Sequence, residues 1–356
     1  MLIRSGNRGA AGGSSDAELT LADLLPPALA ARLDGLDIKS HRVFAGKLQG
    51  ERRSKRRGRS VEFDDFRPYV AGDDLRHIDW NVYARLDRFF LKLFQEEEDL
   101  TVYVVLDASA SMLAGSPSKL LAAARLAVAL SYVSLVNNNR LLLSAFGLPA
   151  DTPGVTGDGG LVRLEPLRGR SSTQRAASFA LGAIRAAADA PYTNGRTTSF
   201  AGAMRTLAST RGAGGGRGVM VVISDLLIPG GTKADPSAGY GEGLRYVAGD
   251  GMFETFVFQV LSPGEIDPAA EAPVASSSSR SPVWGDLRLL DAETGAAREV
   301  TVTADLLRRY RLASAAFVKG ASEWCRARGI EHALITSDQQ AETTVVDALR
   351  SVGLLA

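Results

Sequence analysis

The chain has 356 residues, 45% of them hydrophobic and 23% charged, with a formal net charge of +1. That length and apolar content suffice for the buried core of one large domain or two smaller ones, and the balanced charge excludes a global pull toward nucleic acid or a membrane surface. The single cysteine, Cys325, excludes an internal disulfide framework.

In chain order, residues 1–16 are rich in Gly, Ser and Ala and read as a loose, disordered tail. They never gather the apolar run of a secretory signal, so a cytoplasmic location is expected. Residues 19–36 form an amphipathic stretch that Pro26-Pro27 interrupts or restarts. Residues 41–99 combine a basic run, an acidic and aromatic patch and a partly alternating, strand-like piece at 88–94. An N-terminal accessory segment of helix and strand is therefore expected over 17–99.

From residue 101 the pattern changes. Strands are predicted at 102–107, 140–146, 219–225, 253–261 and 332–336, separated by helices at 118–136, 174–188, 200–209, 304–328 and 343–352. Continuously apolar strands alternating with helices indicate a doubly wound α/β domain over 100–356, its mostly parallel sheet covered on both faces. The longest apolar run, 120–136, contains Arg125 and falls short of the roughly 20 residues a bilayer span needs, so it reads as a buried helix. Residues 262–281 are rich in Pro, Ala and Ser, with short strand-like pieces following at 287–290 and 298–302. A surface insertion carrying a small hairpin is expected at about 262–303. Cys325, in Trp324-Cys325-Arg326, reads as a packing residue at a helix end.

The chemistry concentrates in Val104-Val105-Leu106-Asp107-Ala108-Ser109-Ala110-Ser111-Met112, an apolar strand running into an aspartate and two serines spaced by single small residues. Hard cations such as Mg²⁺ need clustered oxygen ligands, and a strand end held by a sheet supplies several at once. Two neutral hydroxyls beside few carboxylates leave a divalent ion short of negative charge, which suits docking an outside carboxylate better than catalysis. A parallel sheet should bring further oxygens to the same carboxyl edge. Gly195-Arg196-Thr197-Thr198-Ser199-Phe200, before a helix, and Val221-Val222-Ile223-Ser224-Asp225, ending a strand, supply them.

Other chemistries lack their parts. The glycine-rich run at 211–218 has no Lys-Ser/Thr ending, so this chain is not expected to bind and hydrolyse ATP. A phosphatase of the haloacid-dehalogenase type needs an acid where Ser109 stands. A serine hydrolase needs a Gly-x-Ser-x-Gly turn and a histidine partner, and only His41, His77 and His332 exist. From Arg52 to Arg59, six of eight residues are basic, a pattern open to nucleic-acid binding, to a solvated turn or to contact with an acidic protein.

Asp107, Ser109, Ser111, Thr198 and Asp225 resemble, in order, the metal-ion-dependent adhesion site (MIDAS) of von Willebrand factor type A domains, whose pattern is Asp-x-Ser-x-Ser, a later Thr and a strand-end Asp. The resemblance implies that Ser109 and Ser111 bind Mg²⁺ (or Mn²⁺ or Ca²⁺) directly and Thr198 directly or through water. Asp107 and Asp225 would act mostly through waters, leaving one position for a partner's Glu or Asp. Thr198 is preferred to Thr197 because Ser199-Phe200-Ala201-Gly202-Ala203-Met204 best resembles the helix beside this ligand in that family.

A second resemblance lies ahead of the sheet. Gly58, Glu62-Phe63, Arg67, Tyr69, Gly72-Asp73-Asp74, Arg76, Ile78-Asp79-Trp80 and Ala84-Arg85 look like the signature of the bacterial family labelled domain of unknown function 58, where it precedes a von Willebrand A-like domain. With the later motifs the likeness covers roughly 46–349; Asn81, Tyr83 and the serine-rich stretch near Ser276 depart from the pattern. It implies a non-enzymatic adaptor or chaperone-like protein that partners a MoxR-type AAA+ ATPase and a client protein complex. The interleaved Arg67, Asp73, Asp74, Arg76, Asp79, Trp80 and Arg85 read either as a self-satisfied ionic network or as a partner-binding face. Two rival functions remain: a metal-dependent hydrolase, and a nucleic-acid-binding module using Arg52 to Arg59.

Overall fold

The computed structural model describes residues 2–4, 19–40, 62–70, 73–95, 100–155, 160–189, 199–209, 218–231, 235, 237–248, 251–270, 285–291, 296–339 and 341–355. In chain order the elements are β1 (Leu2–Arg4), α1 (Leu21–Leu24), α2 (Pro27–Leu33), β2 (Glu62–Pro68), α3 (Trp80–Leu86), β3 (Phe90–Gln95), β4 (Thr101–Asp107), α4 (Lys119–Val136), β5 (Arg140–Phe146), β6 (Val162–Arg163) and α5 (Thr173–Asp189). They continue with α6 (Phe200–Ser209), β7 (Gly218–Ser224), α7 (Ala238–Ala248), β8 (Phe253–Leu261), α8 (Pro263–Ile266), β9 (Gly285–Leu290), β10 (Ala297–Val302), α9 (Ala304–Arg326), β11 (Glu331–Thr336) and α10 (Ala341–Ser351). The chain divides into two compact units, one of residues 1–41 with 100–356 and one of residues 42–99.

In the larger unit, a six-stranded sheet runs in the order β11-β8-β7-β4-β5-β6. Every neighbouring pair is parallel except β5 with β6, so this is a mixed α/β fold built on a mostly parallel sheet. The pleat explains the layering. Val102, Val104 and Leu106 of β4 join a core with α1, α2, α4, α5 and α10, while Tyr103 and Val105 join an opposite core with α6, α7 and α9. Buried on both sides, β4, β7 and β8 can be continuously apolar without alternation. Helix α4 is long and apolar enough to cross a membrane by composition, yet it lies almost wholly inside this core. Cys325 is likewise buried in the second core, and burial pushes its thiol up to about 12.

Two expectations meet a different outcome, and a third is met and extended. Residues 2–4, read as loose tail, form β1 and pair antiparallel with β9. Leu2 and Ile3 suit a strand, and β9 offers them an edge. The hairpin expected in the insertion is β9 with β10, and β1 makes it a three-stranded sheet. Helices α1 and α2, assigned above to the accessory segment, belong to the larger unit. Pro27 starts α2, and Leu24, Leu29 and Leu33 are fully buried in the α4 core.

The smaller unit contains an antiparallel pair, β2 with β3, irregular between Phe63 and Asp65, together with α3. Only β3 was legible as a strand. Tyr83 stacks on Phe89 with ring centroids 4.4 Å apart.

Candidate metal centre

Adjacent strands β4 and β7 end together, so Asp107, the last residue of β4, and Asp225, just beyond β7, reach one point at the carboxyl edge. Both are buried. Asp107 Oδ1 accepts the Ser109 N–H at 2.9 Å, and its Oδ2 accepts the Ser224 hydroxyl at 2.6 Å. After Ser109 the chain tightens into a 3₁₀ turn, Ala110–Leu113, which places the Ser109 and Ser111 hydroxyl oxygens 3.1 Å apart. That turn is possible because Gly147, at φ +83°, lies against it: a Cβ there would sit 2.6 Å from the Ser109 nitrogen.

On the β7 side, Asp225 Oδ1 accepts the Leu227 N–H at 2.9 Å. Leu226 between them is buried at φ +59°, the left-handed region a branched apolar residue seldom occupies. Strain of this kind persists where the surroundings dictate it. Here the Ser224 hydroxyl accepts the Leu226 N–H at 3.0 Å, holding the bend.

Sequence reasoning missed the charge at the centre of the cluster. Lys119, the first residue of α4, is fully buried, with Nζ 2.7 Å from Asp225 Oδ2 and 2.5 Å from Glu265 Oε1. The one hint was a lysine opening a largely apolar helix, at the end where the helix dipole repels cations. Burial opposes the charged form of Lys119, but the Asp225 and Glu265 carboxylates outweigh it and raise its pKa. For Asp225 burial also opposes ionisation. The ammonium and the hydrogen bonds from Lys119, Leu227 and Ser111 prevail, and its pKa is lowered. Among the described residues Asp107 has no cation partner. Burial first, and then the Asp225 charge, push its carboxyl up to about 7 against the hydrogen bonds of Ser224 and Ser109.

These residues fit a hard divalent ion. Adjacent ligands of an octahedral Mg²⁺ shell sit roughly 2.9–3.0 Å apart at metal–oxygen distances of about 2.1 Å, close to the 3.1 Å serine pair. With all acids ionised, buried Asp107 and Asp225 and partly buried Glu265 against one ammonium leave two negative charges, those of one divalent cation. Among the described residues no three His, Cys, Asp or Glu side chains converge as a zinc-type cage, so the donor set is hydroxyls with two carboxylates. Thr197 and Thr198 lie outside the described residues. Their neighbour Ser199 accepts the Gly202 N–H at 2.9 Å, and Phe200 lies 5.4 Å, ring to ring, from Phe146, the register partner of Asp107. Helix α6 therefore starts at this same edge.

Three acids of the 62–95 segment make local hydrogen bonds. Arg67 Nη2 pairs with Asp73 Oδ1 at 2.7 Å, and Asp73 Oδ2 accepts the Val70 N–H at 2.9 Å. Asp74 accepts the Arg76 N–H at 3.1 Å. Buried Asp79 caps α3 by accepting from Asn81 and Val82 at 2.8 and 3.2 Å. Trp80 is 61% exposed, and Arg76 and Arg85 are exposed too. The basic run Arg52 to Arg59 lies outside the described residues.

Fold and site together define an α/β protein with a buried oxygen cluster at the carboxyl edge of a mostly parallel sheet. The family model described as protein of unknown function DUF58 matches residues 65–249, just over half of the chain, and the protein belongs to that family. Relatives include uncharacterized proteins of Mycobacterium bovis (strain ATCC BAA-935 / AF2122/97) and Mycobacterium tuberculosis (strain ATCC 25618 / H37Rv). Each is 26% identical over 298 residues, which cover 83% of this chain and 80% of the relative. Among solved structures, the pilus adhesin SpaC from Lactobacillus rhamnosus GG, in its open conformation, overlaps with a TM-score of 0.37 at 12% identity. The overlap covers 73% of this chain and 31% of the adhesin, and so loose a likeness bears on neither fold nor function.

Proposed function

We propose that this protein is a divalent-cation-dependent docking domain of the von Willebrand A type, a non-enzymatic, cytoplasmic adaptor for a MoxR-type AAA+ ATPase and its client complex. The observation that carries the reading is the serine hydroxyl pair, 3.1 Å apart, beside two buried carboxylates from adjacent strand ends. Ser109 and Ser111 would hold the ion through their hydroxyls, with Thr198, Asp107 and Asp225 assisting directly or through water. When bound, Mg²⁺, Mn²⁺ or Ca²⁺ supplies an electrophilic position that a partner's carboxylate can fill.

The hydrolase alternative needs a free general base. Asp107 and Asp225 already accept hydrogen bonds on both carboxylate oxygens. Glu265 is held by Lys119 and by the Ser262 N–H, 2.9 Å from its Oε2. Titration calorimetry with Mg²⁺, Mn²⁺ and Ca²⁺, together with pull-down of a co-encoded AAA+ ATPase with and without chelator, tests the reading. The Ser109→Ala/Ser111→Ala variant is expected to lose both metal and partner while staying folded. Equal partner capture by wild type and variant, with or without chelator, sinks it.

A further inference from the structure

We infer that Lys119 is an internal counter-cation that competes with a divalent ion for Asp225, and that Glu265 opposes it by drawing the ammonium aside, so that the pair sets the ion affinity of the site. The inference rests on the docking reading proposed above.

The position of Lys119 is costly on ordinary structural grounds. Its side chain is fully buried at the N-terminal end of α4, where the helix dipole disfavours a cation, and the helix already has a cap, Ser118 Oγ accepting the Leu121 N–H at 3.3 Å. An apolar side chain of similar volume would fill the space without the desolvation of an ammonium. What the lysine does reach is Asp225 Oδ2 at 2.7 Å. The other oxygen, Oδ1, is taken by the Leu227 N–H at 2.9 Å. A divalent ion recruiting Asp225 must therefore share that carboxylate with a like charge, and like charges in a buried cluster weaken each other's binding.

Glu265 is placed independently of the lysine. Its Oε2 accepts the Ser262 N–H at 2.9 Å, and its carbonyl oxygen accepts the Tyr310 hydroxyl at 3.0 Å and the Ser314 hydroxyl at 2.9 Å, both from α9. It is a fixed second acceptor, 2.5 Å from Nζ. The two residues should thus move ion affinity in opposite directions, and removing both together, which keeps the net charge, isolates the release of Asp225 from the general charge effect. Both are positioning residues, since neither need touch the ion.

The test is Mn²⁺ binding to the full-length chain, read from the free-ion electron paramagnetic resonance signal, with folding followed by circular dichroism. Lys119→Met/Glu265→Gln removes one charge of each sign and keeps the net charge of the cluster. It is expected to bind Mn²⁺ about ten-fold more tightly than wild type, and Glu265→Gln alone about ten-fold more weakly. Tightening in the double variant supports the inference, also where wild-type binding is too weak to detect. Equal or weaker binding by a folded double variant overturns it while leaving the docking reading in place. Should the double variant fail to fold, Glu265→Gln decides, and unchanged affinity overturns the inference. Absence of Mn²⁺ binding to wild type and double variant alike removes both this inference and the docking reading.

Discussion

Two parts of the molecule use charge in opposite ways. At the carboxyl edge of the large sheet, Asp107, Asp225 and Lys119 are withdrawn from water with partly buried Glu265 beside them, and Asp225 and Glu265 share the one ammonium. In the 62–95 segment three acids bond locally: Asp73 to Arg67, Asp74 in a turn, Asp79 at a helix end. Exposed there are large apolar and aromatic side chains, Val70 at 61%, Leu75 at 59% and Trp80 at 61%, among charged ones such as Arg76 and Arg85. A dense run of alternating charges in sequence is therefore a poor guide to where charge acts, because short-range capping consumes it. A single lysine opening an apolar helix says more.

The largest effect expected from breaking this contrast is at Lys119. Lys119→Met leaves buried Asp225 and partly buried Glu265 without their cation, and removing one member of a buried ionic cluster costs about 3–5 kcal/mol. Urea unfolding of the single variant measures it, and a loss below about 1 kcal/mol would mean that water reaches the cluster. Gly147→Ala comes next. It drives a Cβ to 2.6 Å from the Ser109 nitrogen in a left-handed conformation, and about 2 kcal/mol of strain is expected. Because the strain falls on the serine turn, divalent-ion affinity should drop with stability, whereas a glycine that served only the turn after β5 would lower stability alone.

Much of this architecture was readable in advance for a physical reason. Strands buried on both faces are continuous apolar runs, and the helices between them carry clear caps such as Ser118, so the five parallel strands were found with boundaries within a residue or so of β4, β5, β7, β8 and β11. Four of the five proposed ligands followed from strand ends alone, because a parallel sheet gathers them at one edge. Among the features that were not legible, three show why. Helix α7 hides in a glycine-rich stretch, Gly239, Gly241 and Gly243, whose purpose is close packing: a Cβ on Gly243 would lie 2.4 Å from the Phe200 ring. Strand β1 has only three residues, and its reason lies in β9, far along the chain. The Lys119–Glu265 pair joins positions 146 residues apart, and no local pattern announces such a contact.

Smaller effects test the periphery. His332, at the edge strand β11, shares a 3.2 Å hydrogen bond with Gln259, whose amide nitrogen lies 3.1 Å from the Asp225 carbonyl oxygen. Burial lowers the His332 pKa to about 4 from 6.5. Since the folded form resists protonation, stability is complete above the unfolded value and is lost as pH falls from about 6.5 toward 4. Between pH 7.5 and 5 the wild type should lose about 1–2 kcal/mol through this group, and His332→Gln should lose less by that amount. Identical pH slopes for the two proteins would show the imidazole to be solvated. Asp79→Ala, which uncaps α3, is expected to cost about 1 kcal/mol, measured the same way.

Trp80→Ala should alter stability least of all. The ring is mostly in water and touches Tyr83 and Phe89 only edge-on, at centroid distances of 6.1 and 6.4 Å, so a change of about 0.5 kcal/mol is expected from unfolding curves. The variant nonetheless separates the two readings of the 62–95 segment. Buried aromatic anchors carry a disproportionate share of interface energy, so if this face meets the AAA+ partner, capture should fall about ten-fold or more while Mn²⁺ affinity at the sheet edge stays at the wild-type value. If capture and ion affinity both stay unchanged, the exposed tryptophan belongs to no interface with that partner, and docking rests on the carboxyl edge alone.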